Sequence, residues 1–198
     1  MTEAEKEKYE AALNIEGNGM MGYVEIPSID CLLPIYHGTD EAVLQIAVGH
    51  MEGTSLPIGG KGTHCVLSSH RGLPSARLFT DLDQLTEGDK FILHVLGEAL
   101  VYLVDQIKVV EPDELEALRP VQDRDYCTLI TCTPYGVNSH RMLVRGTRIK
   151  ESVENISEEP ETRRTEIPPW MAPVCLSAIF LTAGGCLWFR RGGKGEQD

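Results

Sequence analysis

The chain has 198 residues and a net charge of -12, with 30 acidic against 18 basic side chains. That length suits one domain of ordinary size with a sizeable core, and the acidic balance, without any basic patch interleaved with aromatics, argues against nucleic acid as a partner. Six cysteines (Cys31, Cys65, Cys127, Cys132, Cys175 and Cys186) form no Cys-x-x-Cys pair, so neither a disulfide-stapled scaffold nor a regular metal framework is expected.

In chain order, 1–12 carry four glutamates and two lysines among alanines, which predicts a short solvated helix inside an N-terminal segment, 1–19. No apolar stretch follows Met1, so no signal peptide is expected. Residues 20–34 hold two short apolar runs broken by prolines and read as two strands. Residues 39–47 place Val43, Leu44 and Ile46 after Asp40-Glu41, a short helix. Five glycines and a proline in 49–62 predict a loop long enough to be functional.

Residues 63–69 alternate as a strand, with His64, Val66 and Ser68 on one face and His70 at its end, before the breakers Arg71-Gly72-Leu73-Pro74. A short helical turn over 75–84 turns Leu78, Phe79 and Leu82 inward. A hairpin follows, with arms 90–96 and 99–110 joined at Gly97-Glu98. Residues 112–118 resemble a capped helical turn. Two last strands, 128–131 and 141–149, flank a loop in which Pro134, Gly136 and Asn138 supply the turn chemistry. Many short strands with brief, scattered helices predict a mainly β fold, a barrel or sandwich, over 20–149.

Beyond it, 150–169 turn acidic and proline-containing and read as a tether. The twenty residues 170–189 carry no charge, enough to cross a hydrocarbon core of roughly 30 Å as a transmembrane helix. Trp170 and Trp188 sit near its ends, and Arg190, Arg191 and Lys194 follow. The positive-inside rule then makes 190–198 a cytoplasmic tail and puts the globular domain on the outer face of a cell membrane.

Antiparallel pairing of the last two strands would set Cys132 beside Arg141, whose guanidinium would stabilise a thiolate or an oxyanion formed by its attack. Such a nucleophile needs a base or an imidazolium. His70, at a strand terminus beside a breaker cluster, is the first candidate; spacing alone leaves His64 and His140 open. His64-Cys65 has no second ligand pair at metal-site spacing, so no metal is expected, and no cofactor either. His37, His50 and His94 carry no partner signal and read as surface or loop residues.

Thr-Leu-Ile-Thr-Cys-Thr-Pro-Tyr-Gly at 128–136 and Asn-Ser-His-Arg-Met-Leu-Val-Arg-Gly at 138–146 closely resemble the sortase signature. Ser-Ser-His-Arg-Gly-Leu-Pro-Ser-Ala-Arg-Leu-Phe-Thr-Asp-Leu at 68–82 is similar to the histidine region of the same family. Further agreement lies at 26–29, 33–38 and 53–60, and the whole looks most like the class C, pilus-assembling branch. The resemblance covers roughly 20–149. It implies a closed eight-stranded β-barrel with short helices, Cys132 as nucleophile, His70 as acid/base and Arg141 as the residue that steadies substrate and oxyanion. Thr131, Ser68 and Asn138, beside these three, are expected to contact substrate.

The implied reaction is transpeptidation: a Leu-Pro-x-Thr-Gly-like sorting signal is cut between Thr and Gly through a thioacyl enzyme, which an amine resolves. For class C the amine is a pilin lysine; the alternative is a housekeeping-type enzyme using a cell-wall amine. A hydrolytic cysteine peptidase and a catalytically silent, membrane-tethered binding barrel are the other readings. Class C members commonly carry an N-terminal membrane segment and an Asp-Pro-aromatic lid. Neither is present before Met20, which implies either a start upstream of this one or a lidless form held by its C-terminal helix.

Overall fold

The computed structural model describes residues 2–74 and 76–151. The predicted transmembrane helix, the cytoplasmic tail and the tether beyond Glu151 lie outside the described residues. Among the described residues no helix is long and apolar enough to cross a membrane.

Eight strands close into a barrel. They are β1 (Met20–Ile26), β2 (Cys31–His37), β3 (Val48–His50), β4 (Thr63–Ser68), β5 (Lys90–Val95), β6 (Glu98–Val110), β7 (Asp125–Thr133) and β8 (His140–Arg148). Around the barrel their order is β1-β2-β3-β4-β7-β8-β6-β5, and β5 pairs with β1 to close it. Two contacts are parallel, β2 with β3 and β4 with β7; the rest are antiparallel. Closure leaves no open sheet edge.

Local chemistry explains most of these elements. β5 and β6 meet through Leu96 and Gly97, both at positive φ, with Val95 paired to Glu98, the two-residue turn that matches strand twist. The hairpin therefore turns one residue earlier than the sequence suggests. β2 runs through Pro34 to His37, and its pairing with β3 starts only at Ile35, so the proline sits where β2 has one neighbour instead of two. The three-residue β3 falls where the sequence predicts the end of a helix and the start of a loop; it is too short to show alternation. The predicted helical turn over 75–84 reduces to a 3₁₀ turn at Leu82–Gln84, yet Leu78, Phe79 and Leu82 are buried as expected. The turn before β7 is a 3₁₀ segment, Glu116–Leu118, without the side-chain cap expected there.

Alternate residues of each strand fill the interior, where Val24, Ile35, Leu67, Tyr102 and Val144 are completely buried. Phe91 and Tyr102 stack inside at 5.4 Å. A smaller cluster, Val66, Val110, Ile130 and Leu143, sits on the other side of the wall beneath Met51, Ala117 and Leu118. The N-terminal helix α1 (Glu3–Ala11) starts with a capping box between Thr2 and Glu5 and buries no residue fully, in line with a solvated helix. It is held by Tyr9, whose hydroxyl meets the His50 Nδ1 at 2.9 Å and accepts from the Gly38 amide at 2.9 Å.

Candidate active site

The β7–β8 register pairs Cys132 with Arg141, one step before the connecting loop. Two residues back along each strand, Ile130 and Leu143 belong to the outer apolar cluster. Alternation continues that face to Cys132 and Arg141. The thiol and the guanidinium therefore lie outside the barrel wall, at its rim, and both are partly exposed.

His70 arrives from a strand 62 residues upstream. β4 and β7 run parallel, with Ser68 opposite Ile130, so two residues further on His70 comes level with Cys132. Three hydrogen bonds hold the residue before it. The Ser69 amide donates to the Ile130 carbonyl at 3.1 Å, its hydroxyl donates to the Ala47 carbonyl at 2.8 Å, and its carbonyl accepts from the Thr131 hydroxyl at 3.0 Å. Beyond it, the Phe79 amide donates to the His70 carbonyl at 3.1 Å. The imidazole faces Glu41 from the short helix α2 (Glu41–Leu44), with Nε2 at 3.2 and 3.3 Å from the two carboxylate oxygens. Hydrogen bonds from Gln45 and His70 hold the Glu41 carboxyl below its ordinary range. Among the described residues no hydrogen bond joins His70 to Cys132.

Arg141 is fixed by its own loop. Its Nη1 donates to the carbonyls of Asn138 and His140, at 3.2 and 3.1 Å, which leaves Nε and Nη2 available to a bound group. The loop turns at Pro134, whose carbonyl accepts from the amides of Val137 and Asn138 at 3.1 and 2.9 Å. Gly136 and Asn138 take positive φ, +75° and +59°, so the turn residues named from the sequence do the turning.

The exposed Tyr135 ring lies against Gly72, where an added Cβ would come 2.6 Å from Cε2, and Arg71 lies 5.8 Å from the ring centre. A groove of about 320 Å³ opens between the segment Gly72 to Thr80 and this ring. It adjoins the His70 segment on one side and the Cys132 loop on the other.

The residues expected to contact substrate divide. Ser68 lies on the outer face with Val66, partly exposed. Asn138 is exposed and contributes its carbonyl to Arg141. Thr131 is 1% exposed and spends its hydroxyl on Ser69; it points to the barrel side of β7, so its place is that of a brace for the strand end, not of a groove contact.

The other histidines separate from the site. His64 is buried, with Nε2 at 2.7 Å from the Thr128 hydroxyl and Nδ1 at 3.2 Å from the Arg119 carbonyl. His140 pairs with Glu111 at 3.3 Å. His37 and His50 are not the loop histidines expected: His50 is fully buried and His37 bridges the Gly19 and Ala12 carbonyls at 2.9 and 2.7 Å. Both help to seat the N-terminal helix. His94 Nε2 lies 2.7 Å from a carboxylate oxygen of Glu25. No group of three or more His, Cys, Asp or Glu among the described residues could hold a metal ion. Sequence reasoning misses Glu41, Ser69 and Tyr135 as parts of the site. The alternation that puts Cys132 outside also puts Thr131 inside; nothing local marks Glu41, which reaches His70 only through the barrel's topology.

A thiol, a guanidinium and an imidazole gathered at one rim suit acyl transfer through a cysteine nucleophile. Residues 24–149 match the model of the Sortase domain, and the chain belongs to the sortase family, whose members are cysteine transpeptidases. The fold superposes on sortase C1 from Streptococcus agalactiae with a TM-score of 0.76 at 55% identity, over 77% of this chain and 79% of that one. Sortase C from Streptococcus pneumoniae, whose structure has been described in terms of catalysis and pilin substrate specificity, is 53% identical with a TM-score of 0.67, over 69% of each chain. Sortase D of Bacillus subtilis is 28% identical over 145 residues, 72% of this chain and 70% of that protein.

Proposed function

We propose that the protein is a class C sortase that polymerises pilins. Cys132 attacks the Thr carbonyl of a Leu-Pro-x-Thr-Gly-like signal. His70 protonates the departing Gly amine, and Arg141 takes up the charge of the tetrahedral intermediate and steadies the peptide. A pilin lysine then attacks the thioester, His70 accepts its proton, and the thiol is regenerated with an isopeptide bond formed. The observation that carries this reading is the cross-strand pairing of Cys132 with Arg141 at the rim level with His70. The identity to class C structures supports the branch. The groove between Gly72 and Tyr135 is offered as the place where substrate passes the two loops.

The test presents the enzyme with a sorting peptide together with either a pilin domain or a wall-type amine and identifies the products by mass spectrometry. The expected product is the peptide joined to a pilin lysine. Preferential transfer to the wall-type amine would reassign the protein as a housekeeping sortase, and exclusive hydrolysis as a peptidase. Cys132→Ala, His70→Ala and Arg141→Ala are each expected to abolish transfer; turnover retained by the cysteine variant would sink the enzymatic mechanism.

Anchoring belongs to the same proposal. The uncharged run 170–189 with its basic flank is read as a membrane anchor that leaves the barrel on the outer face. Deleting 170–198 is expected to release the protein from membranes with its peptide-cleaving activity intact.

A further inference from the structure

Cys65 on β4 and Cys127 on β7 face each other directly across the parallel pair. Both are buried in the barrel interior, 2% and 0% exposed, and both are free thiols. Neither thiol takes part in the rim chemistry. Cys65 stands five residues before His70, and Cys127 five before Cys132.

We propose that Cys65 and Cys127 are a site of oxidative modification, closing to a disulfide that staples together the two strands leading to the reactive rim. Neighbouring strands lie roughly 4.8 Å apart, inside the Cα separation of roughly 4.4–6.8 Å that a disulfide spans. The pair is chemically asymmetric. Burial alone would raise Cys65, but its neighbours Cys127 and His50 bring it below the usual thiol range. Burial and the neighbouring Cys65 keep Cys127 well above the usual thiol range.

With hydrogen peroxide, an oxidant small enough for a buried pair, the steps balance. Cys65 gives up its proton and attacks one peroxide oxygen. The O–O bond breaks, and the departing hydroxide recovers that proton as water. The Cys127 sulfur displaces hydroxide from the resulting Cys65 sulfenic acid, and its own proton completes a second water. Two thiols lose two electrons and two hydrogens, and one peroxide becomes two waters.

The experiment uses the purified 198-residue chain carrying Cys132→Ala, which removes the rim thiol. After hydrogen peroxide, proteolysis without reductant is expected to yield a peptide pair joined through Cys65 and Cys127. That pair weighs two hydrogens less than its parts and is released by dithiothreitol. The oxidised protein is expected to melt several degrees higher than the reduced one. Recovery of both as free, alkylatable thiols overturns the proposal. So does linkage of either one to Cys31, or oxidation of Cys65 to sulfinic acid with Cys127 untouched.

Discussion

The Thr131 hydroxyl donates to the Ser69 carbonyl at 3.0 Å, in a position buried from solvent. This bond ties the residue before Cys132 to the residue before His70. It extends the β4–β7 pairing past Ser68 and Ile130, to the residues next to the two groups.

Thr131→Val keeps the shape and removes the donor. The Ser69 carbonyl is then left unpaired, which destabilises the fold by about 1–3 kcal/mol. Displacement of His70 relative to the thiol lowers kcat on the order of tenfold to a hundredfold. Thr131→Ser is expected to restore both. Peptide turnover and urea midpoints measured on the three proteins decide the matter; a valine variant with unaltered kcat would show that the bond does not position His70.

Gly136 has φ +75°, and no atom lies within 4 Å of the point where a Cβ would stand, so space is not its constraint. A β-branched residue there is strained by roughly 1–2 kcal/mol. The exposed loop relieves that strain by shifting, and the carbonyls that hold Arg141 shift with it. Gly136→Val is therefore expected to lose turnover more than stability. Equal losses in parallel unfolding and kinetic assays would count against a positioning role for the loop.

Gly72 and Tyr135 are expected to be energetically coupled. A methyl group on Gly72 would meet the ring at 2.6 Å and push apart the segments that carry His70 and Cys132. Gly72→Ala should impair turnover, and Tyr135→Ala should recover part of that loss by removing the obstacle. Backbone strain at φ +76° remains in both. A double-mutant cycle is expected to give a coupling of about 0.5–3 kcal/mol; strictly additive effects would mean the ring moves aside freely.

His64 makes stability depend on mild acid. Burial lowers its pKa below the ordinary value, so as pH falls the unfolded chain takes up the proton first. Its contribution is complete above about pH 6.5 and is lost as pH drops toward the folded value. Urea midpoints followed from about pH 8 to about pH 5 should fall more steeply for the wild type than for His64→Asn. Parallel slopes would remove His64 as the source.

Local chemistry makes part of this legible. Residues 128–149 read as a hairpin because turn formers separate two β-rich runs, and the pairing of Cys132 with Arg141 follows from that alone. The strand ending at Ser68 and the β5–β6 hairpin are equally plain. The parallel seam between β4 and β7 is not, because nothing near Thr63 indicates a partner at Asp125. The same blindness hides Glu41 from His70 and makes His50 look like a loop residue, when its hydrogen bonds to Tyr9 and Ser55 allow it to be buried. Thr131 is the avoidable miss, since strand alternation alone sends it to the opposite side from Cys132.

That seam also orders events in time. β4 and β7 are separated in the chain by the whole β5–β6 hairpin, and β7 lies between β4 and β8. Closing so long a loop is slow compared with forming a local hairpin. A chain still emerging from the ribosome therefore has Cys132 apart from His70. In the proposed mechanism the nucleophile and the acid/base come together only once β7 pairs with β4, so an incompletely folded chain would lack that acyl chemistry.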